Sequence, residues 1–355
     1  MDELIERFPS IAQDVQKELD NRSLTKCKEV SPLWNESVDN QKEVWIRRIR
    51  LRSEKFEEFR NLWNAVISKT SVETVKALSL AVQKFFEEIL FREEDQLTPH
   101  HVVAAYGSKE LYEYIANKTG QIDNRSSKLE NTPLHYSAQS GNVGVFQFLF
   151  ENSDDKNPRN INGLTPLHYA AGQRNIETNQ ERLEICKIIL SHVTDKNPRN
   201  NAGNTVLHYA AGVNNLDIGK LIIDNITEKT PQSKNNQTPL HWAASNGNVE
   251  FCKLILDNVT DKNPMDDIGN TPLHWAAEKG HLDVVKLIVP QVDEKNPRNN
   301  FGTTPLHDAA KKGHFGIIKY MMDFVGDRNP LDNRGKTPLY YMEQFSLNLR
   351  KKINP

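Results

Sequence analysis

One short stretch, Asn270-Thr271-Pro272-Leu273-His274-Trp275-Ala276-Ala277, recurs down the chain and limits what it can fold into. Its threonine stands at Thr98, Thr132, Thr165, Thr205, Thr238, Thr271, Thr304 and Thr337. The steps between these positions are 34, 33, 40, 33, 33, 33 and 33 residues. A chain that repeats itself at a fixed interval of this length is built from similar local units, each resting on its neighbours.

The logic of a unit can be read from one copy. Asn263 to Asn270 makes a turn, with Gly269 free to take positive φ. Thr271 caps a first helix, and Pro272 fills its first position, where a missing N–H costs nothing. Leu273, Ala276 and Ala277 follow, the alanines small enough for helices to approach closely. Gly280-His281 turns the chain, and Leu282, Val284, Val285, Leu287 and Ile288 give the apolar face of a second, antiparallel helix. No unit buries that face alone.

The T-P-L-H-x-A pattern at a period of 33 resembles the ankyrin repeat. The resemblance covers residues 96–355, about eight repeats with the last truncated. It implies an all-α solenoid of helix-turn-helix units, each with a β-turn, that binds protein in a concave groove lined by the first helices.

His101, His135, His168, His208, His241, His274 and His307 suggest a line of metal or acid–base groups, but one ring per repeat is too widely spaced for a shared metal. They read as frame residues, as do His281 and His314. The next position is more telling: Tyr136, Tyr169, Tyr209, Trp242, Trp275 and Asp308 fall on the first-helix face. Half-exposed Tyr and Trp anchor protein interfaces, so these residues are the candidate target-binding groove. The competing reading is that each ring leans on the base of a neighbouring turn.

Four irregularities stand out. Lys-Asn-Pro opens the repeats at Lys156, Lys196, Lys262 and Lys295, with Arg328 in the last and a degenerate copy near Thr230-Pro231. These cations, with Arg159, Arg199 and Arg298, either face an acidic partner or are balanced by the aspartates beside them. Val193, Ile226, Val259 and Val292 stand where a glycine usually ends the second helix. The step of 40 places seven extra residues within Gln173 to Arg182, expected as a longer exposed loop. Finally, Lys336-Thr337-Pro338-Leu339-Tyr340 has Tyr for His, and with Arg350-Lys351-Lys352 it is expected to form a polar terminal cap.

The first 95 residues do not repeat. Residues 51–95 carry apolar stripes at helical spacing without Pro or Gly, which predicts connecting helices that seal the array. Residues 1–50 run Phe8-Pro9, Leu19-Asp20, Ser23-Leu24, then Cys27-x-x-Val30-Ser31-x-x-Trp34 and a later Trp45. That order resembles an F-box, the helical module that docks on the Skp-type adaptor of cullin-RING ubiquitin ligases. The resemblance implies Phe8, Pro9, Leu19, Leu24, Val30 and Trp34 as the adaptor-binding positions. Ile11 to Glu18 is more polar than the usual first helix of that family, and a plain helical cap is the competing reading.

Net charge is -2, with 45 basic and 47 acidic residues, which gives no general attraction to nucleic acid or membrane. The three cysteines are odd in number and far apart, as in a reducing cytoplasmic or nuclear setting. No phosphate-binding, zincin or paired-cysteine motif occurs, so no enzyme activity and no cofactor are expected. The expected function is that of a substrate receptor, joining a groove-bound target to the ligase. A scaffold or sequestering protein is the alternative. Outside its complex the chain is expected to be a monomer.

Overall fold

The computed structural model describes residues 99–353, apart from 121, 123, 124, 126–128, 175 and 176. Helices alternate with turns in the order α1 (Pro99–Tyr106), α2 (Lys109–Thr119), α3 (Pro133–Ser140), α4 (Val143–Asn152), α5 (Pro166–Ala171) and α6 (Asn179–His192). There follow α7 (Val206–Val213), α8 (Leu216–Asn225), α9 (Pro239–Asn246), α10 (Val249–Leu256), α11 (Pro272–Lys279) and α12 (Leu282–Ile288). The last three are α13 (Pro305–Lys312), α14 (Phe315–Met321) and α15 (Pro338–Ile353). Two compact units result: residues up to Ala170 with Glu177–His192, and Ala171–Ile176 with Val193 onward. The segments expected as an F-box-like module and as connecting helices lie outside the described residues.

In each unit the first helices stack side by side, as α1 does on α3 and α11 on α13, while the second helices form their own layer. The core lies between the layers. Ala243, Ala244, Ala276, Ala277, Ala309 and Ala310 are fully buried, as are Val284, Val285 and Ile288 of α12. Each buried leucine or isoleucine of this core stabilises by roughly 1.5–3 kcal/mol relative to exposure.

Local chemistry sets the helix ends. The threonine caps have extended backbones, as at Thr271 (φ -98, ψ 169), and form a capping box with the motif histidine. Most first helices end at a left-handed glycine, such as Gly280 (φ 85); Asn214 (φ 62) serves in one repeat because Asn tolerates that region. Added to Gly280, a Cβ would come within 2.6 Å of the His314 ring.

The second helices solve their missing glycine with a cation. The Lys156 ammonium donates to the carbonyls of Phe150 and Glu151. Lys229 does the same to Ile223 and Ile226, Lys262 to Leu256, and Lys295 to Val292. A positive charge among the last carbonyls also opposes the helix dipole. The neighbouring residues complete the device. Asp261 Oδ1 accepts from the Asn263 N–H at 3.0 Å, and Asn296 Oδ1 accepts from the Leu306 N–H of the following helix at 3.3 Å. These lysines therefore turn inward, and the degenerate copy at Lys229 keeps the role. The turn arginines are also engaged: Arg199 donates to the Gln232 carbonyl and Arg298 to the Leu331 carbonyl, tying one turn to the next.

Two expectations are corrected. The inserted segment is not wholly an exposed loop, because its end is the first turn of α6 and Arg182 is buried there, donating to Thr178 Oγ1 at 2.6 Å. The terminal cap is mixed and not wholly polar, with Leu339 and Leu347 exposed beside Glu343, Gln344 and Asn348. Ser346 occupies the place of the turn glycine, so α15 runs straight on and leaves Leu339 and Leu347 exposed.

Candidate protein-binding face

The motif histidines hold the first helices together and to the turns beyond them. Nδ1 accepts the threonine backbone N–H at 3.0–3.2 Å in the repeats of His135, His168, His208, His241, His274 and His307. An accepting Nδ1 leaves the proton on Nε2. Nε2–H then donates to a carbonyl of the next turn: Asn131 from His101, Leu164 from His135, Gln237 from His208, Asn270 from His241, Thr303 from His274 and Lys336 from His307. Burial holds His135, His208, His241 and His274 neutral by lowering their pKa to about 4, against the backbone bond that favours the cation. His281 and His314 donate to the Ser245 and Glu278 carbonyls. Among the described residues no group of three His, Cys, Asp or Glu side chains could hold a metal ion.

The expected groove residues form rows on this frame, one in each unit. In the first unit Tyr136 meets His101 edge to face at 5.2 Å, and Tyr169 meets His135 in the same way at 5.2 Å. In the second, Trp242 stands edge to face on His208 at 5.6 Å and tilted on Tyr209 at 5.7 Å. Tyr136 is buried, while Tyr169, Tyr209, Trp242 and Trp275 are half-buried.

Each ring tip bonds to a turn. Asn131 Nδ2 donates to Tyr136 Oη at 3.3 Å, Tyr169 Oη donates to Asn131 Oδ1 at 3.0 Å, and Asn200 Nδ2 donates to Tyr209 Oη at 3.0 Å. Trp242 Nε1 donates to Gln237 Oε1 at 3.2 Å and Trp275 Nε1 to Asp266 Oδ2 at 3.1 Å. Tyr341 continues the row, donating to Asp332 Oδ2 at 2.7 Å. Each ring thus leans on a turn, and all but the buried Tyr136 keep part of their surface towards solvent, so packing and presentation coexist in the others. The partners at the turns, Asp266 and Asp332 among them, escaped the sequence reading; an Asn, Asp or Ser recurring five residues before the motif threonine was the available signal.

Asp308 interrupts the rings. Burial raises its carboxyl to about 6, opposed by Lys311, whose Nζ lies 3.5 Å from Asp308 and 4.8 Å from the Tyr341 ring centre. Beside it Glu278 pairs with Lys312 at 3.3 Å and Lys279 at 3.7 Å. Three ammonium groups therefore share two carboxylates. In the turn of that repeat Asn299 Nδ2 donates to Asn270 Oδ1 at 2.7 Å, as Asn160 Nδ2 does to Asn131 Oδ1 at 2.9 Å. The six adaptor-binding candidates, Phe8, Pro9, Leu19, Leu24, Val30 and Trp34, lie outside the described residues.

A family model for ankyrin repeats matches residues 62–160, 152–233 and 213–298, and a second one for ankyrin repeats matches 292–341. The chain belongs to the ankyrin-repeat family. It is 31% identical over 125 residues to alpha-latrotoxin-Lhe1a of Latrodectus hesperus, covering 34% of this chain and 9% of the toxin. It is 30% identical over 124 residues to the tyrosine-protein kinase Shark of Drosophila melanogaster, 35% of this chain and 13% of the kinase. A putative ankyrin repeat protein of Fowlpox virus, FPV031, is 33% identical over 85 residues, 23% of this chain and 25% of the viral protein. The chain spans about a tenth of the length of the toxin relatives it matches. As an ankyrin-repeat chain it is a protein-binding scaffold, a class that is generally non-enzymatic. Among the described residues no helix is long and apolar enough to cross a membrane.

Proposed function

We propose that the chain is a non-enzymatic receptor that holds a target protein on the first-helix face and brings it to a cullin-RING ubiquitin ligase. The observation that carries the binding half is the row of half-buried rings, each fixed by a hydrogen bond at its tip. A ring already immobilised loses little conformational freedom on binding, which is why rigid Tyr and Trp make strong contacts. Tyr169, Tyr209, Trp242 and Trp275 supply the flat apolar contacts, whereas Tyr136 is buried against His101 and is not one of them. Asp308 and the lysines around it supply a charged end that suits a target with an acidic residue. The ligase half rests on the sequence order Phe8-Pro9 to Trp34 alone. On that reading the protein performs no bond chemistry and acts by raising the target's local concentration. The two described cysteines are buried free thiols, which fits a reducing cytoplasmic or nuclear compartment.

Two experiments separate the halves. Affinity capture with the full chain is compared with Tyr209→Ala/Trp242→Ala/Trp275→Ala and with Ser245→Arg, which adds bulk to the same face without touching the ring tips. Partners lost from both folded variants occupy the face; an unchanged partner list removes the proposal. Pull-down of a purified Skp-type adaptor tests the other half. Binding that Val30→Asp and Trp34→Ala abolish supports it, and no binding by the unaltered chain leaves the scaffold reading.

A further inference from the structure

The repeat that begins at Thr165 lacks the turn glycine of its neighbours. Nine residues after their threonines, Gly141, Asn214, Gly247, Gly280 and Gly313 take left-handed backbones and send the chain back as a second helix. The same place after Thr165 holds Arg174, inside the inserted stretch. Arg174 is exposed and donates to Asn246 Oδ1 at 3.4 Å, at the end of α9 two repeats on. Asn246 is set to receive it, because its Nδ2 donates to the Trp242 carbonyl at 2.9 Å and leaves Oδ1 to accept. Asn246 stands eight residues after its threonine, and in the next two repeats that place holds Lys279 and Lys312. The insertion thus lends α9 the cation its own sequence lacks, and α9, α11 and α13 each end beside one.

We propose that Arg174, Lys279 and Lys312 form a basic edge that takes an extended acidic segment of the target, one carboxylate per repeat; this rests on the first helices being the target-binding face. The charges were counted over the ring position and the positions three and four residues later. With Arg174 they comprise four cations, Lys311 being the fourth, against the carboxylates of Glu278 and Asp308, while α7, α9 and α15 carry no charge there. The acidic residues of the insertion, Glu177 and Glu181, belong to the first unit. The cations keep donors for a ligand. Lys279 and Lys312 share the single oxygen Glu278 Oε1 at 3.7 and 3.3 Å, and Lys311 stands 3.5 Å from Asp308 Oδ1. Charge-assisted hydrogen bonds close to about 2.7–2.9 Å, and an ammonium has several N–H donors. The spacing sets the form of the segment. Neighbouring helices pack about 8–10 Å apart, and a polyproline II chain advances about 9 Å in three residues, returning every third side chain to the same side. The residues between then rest on Trp242 and Trp275, one helical turn before Asn246 and Lys279. A nucleic-acid strand, charged at every residue, would meet Glu278 and Asp308 as often as the cations.

The probe is a short fluorescein-labelled peptide with glutamate at every third position among prolines and leucines; its twin carries glutamine at those positions. Binding to the full-length chain is read by fluorescence anisotropy at low and at physiological salt. The glutamate peptide should bind at least about tenfold more tightly than its twin, and the margin should shrink as salt rises. Arg174→Glu and Lys312→Glu should each weaken it about tenfold, whereas Arg174→Lys should keep most of the affinity. Glu278→Gln, which removes the carboxylate shared by Lys279 and Lys312, should tighten it about threefold. Arg174 and Lys312 are exposed, so unchanged melting curves will show that the variants fold. Lys319→Glu on α14 is the control and should leave the affinity unchanged. Three results overturn the proposal: no binding, equal binding of the twins, or an affinity indifferent to Arg174→Glu. So does a deoxythymidine oligonucleotide that displaces the peptide at lower concentration, because then nucleic acid is the occupant. If the peptide fails while the Tyr209, Trp242 and Trp275 alanine variant still loses its captured partners, the acidic segment is wrong and the face stands. If that variant loses none, the face falls as well.

Discussion

The repeats that begin at Thr304 and Thr337 share Thr-Pro-Leu and then part. In the first, His307 accepts the Thr304 N–H at 3.1 Å and donates to the Lys336 carbonyl at 3.1 Å. Gly313 (φ 77) ends the helix, α14 returns, and Leu306 is sealed. In the second, Tyr340 has no ring nitrogen to offer, and its N–H donates to Thr337 Oγ1 at 3.2 Å. Ser346 lets α15 run on. A threonine–proline start is enough to begin a helix. The histidine decides whether that helix is stitched to the next turn, and the glycine decides whether its apolar side is covered.

The largest effect should follow from acid, because the stitch exists only with a neutral ring. An unfolded histidine titrates near 6.5, whereas His135, His208, His241 and His274 titrate at about 4 in the fold. Between those values the unfolded chain binds more protons. The stabilisation is therefore complete above 6.5 and is lost as pH falls towards 4. One ring contributes on the order of 3 kcal/mol, so several together rival the stability of a whole domain. Asp308 works in the opposite direction, since its raised pKa favours the fold when protonated, but it is one group against four. Urea titrations from neutral pH to pH 4 should show a steep fall. A flat profile would mean that the imidazoles do not hold the repeats together.

The leucine pair gives the next largest contrast. Leu306→Ala empties a sealed site and should cost about 2–5 kcal/mol. Leu339→Ala removes a side chain already in water and should stay within about 0.5 kcal/mol. Equal losses in chemical denaturation would show that α15 is covered in solution, and would point to self-association.

The contrast also marks what the sequence made legible. Threonine caps, turn glycines and frame histidines follow from one local rule written many times, which makes them legible in the sequence. The ring positions were legible too, but not their tips, because a partner such as Asp266 lies nine residues from Trp275 across a turn. The carbonyl partners of the inward lysines were not legible, although the missing glycines at Ile226, Val259 and Val292 were a clue that something else must cap those helices. At the end of the chain, Arg350-Lys351-Lys352 suggested a polar cap, while the single serine at 346 decided the outcome. Burying Arg182 beside Thr178 breaks the usual preference for surface arginine, and no periodicity reports it.

The smallest predicted effect concerns those lysines, and it asks whether the cation is a true substitute for glycine. Lys262 Nζ lies 2.6 Å from the Leu256 carbonyl at the end of α10. Lys262→Met keeps the stem and removes the charge, and should cost about 1 kcal/mol by urea titration. Faster amide exchange should be confined to the last turn of α10. Lys319 is exposed on α14, and Lys319→Met is the control, expected to change nothing measurable. If glycine and lysine are alternative answers to the same unsatisfied carbonyls, Val259→Gly added to Lys262→Met should recover part of the loss, because glycine can take the left-handed conformation that the native valine avoids. Additive damage from the two substitutions would instead show that Val259 matters as an apolar contact, and that the cation does a separate job.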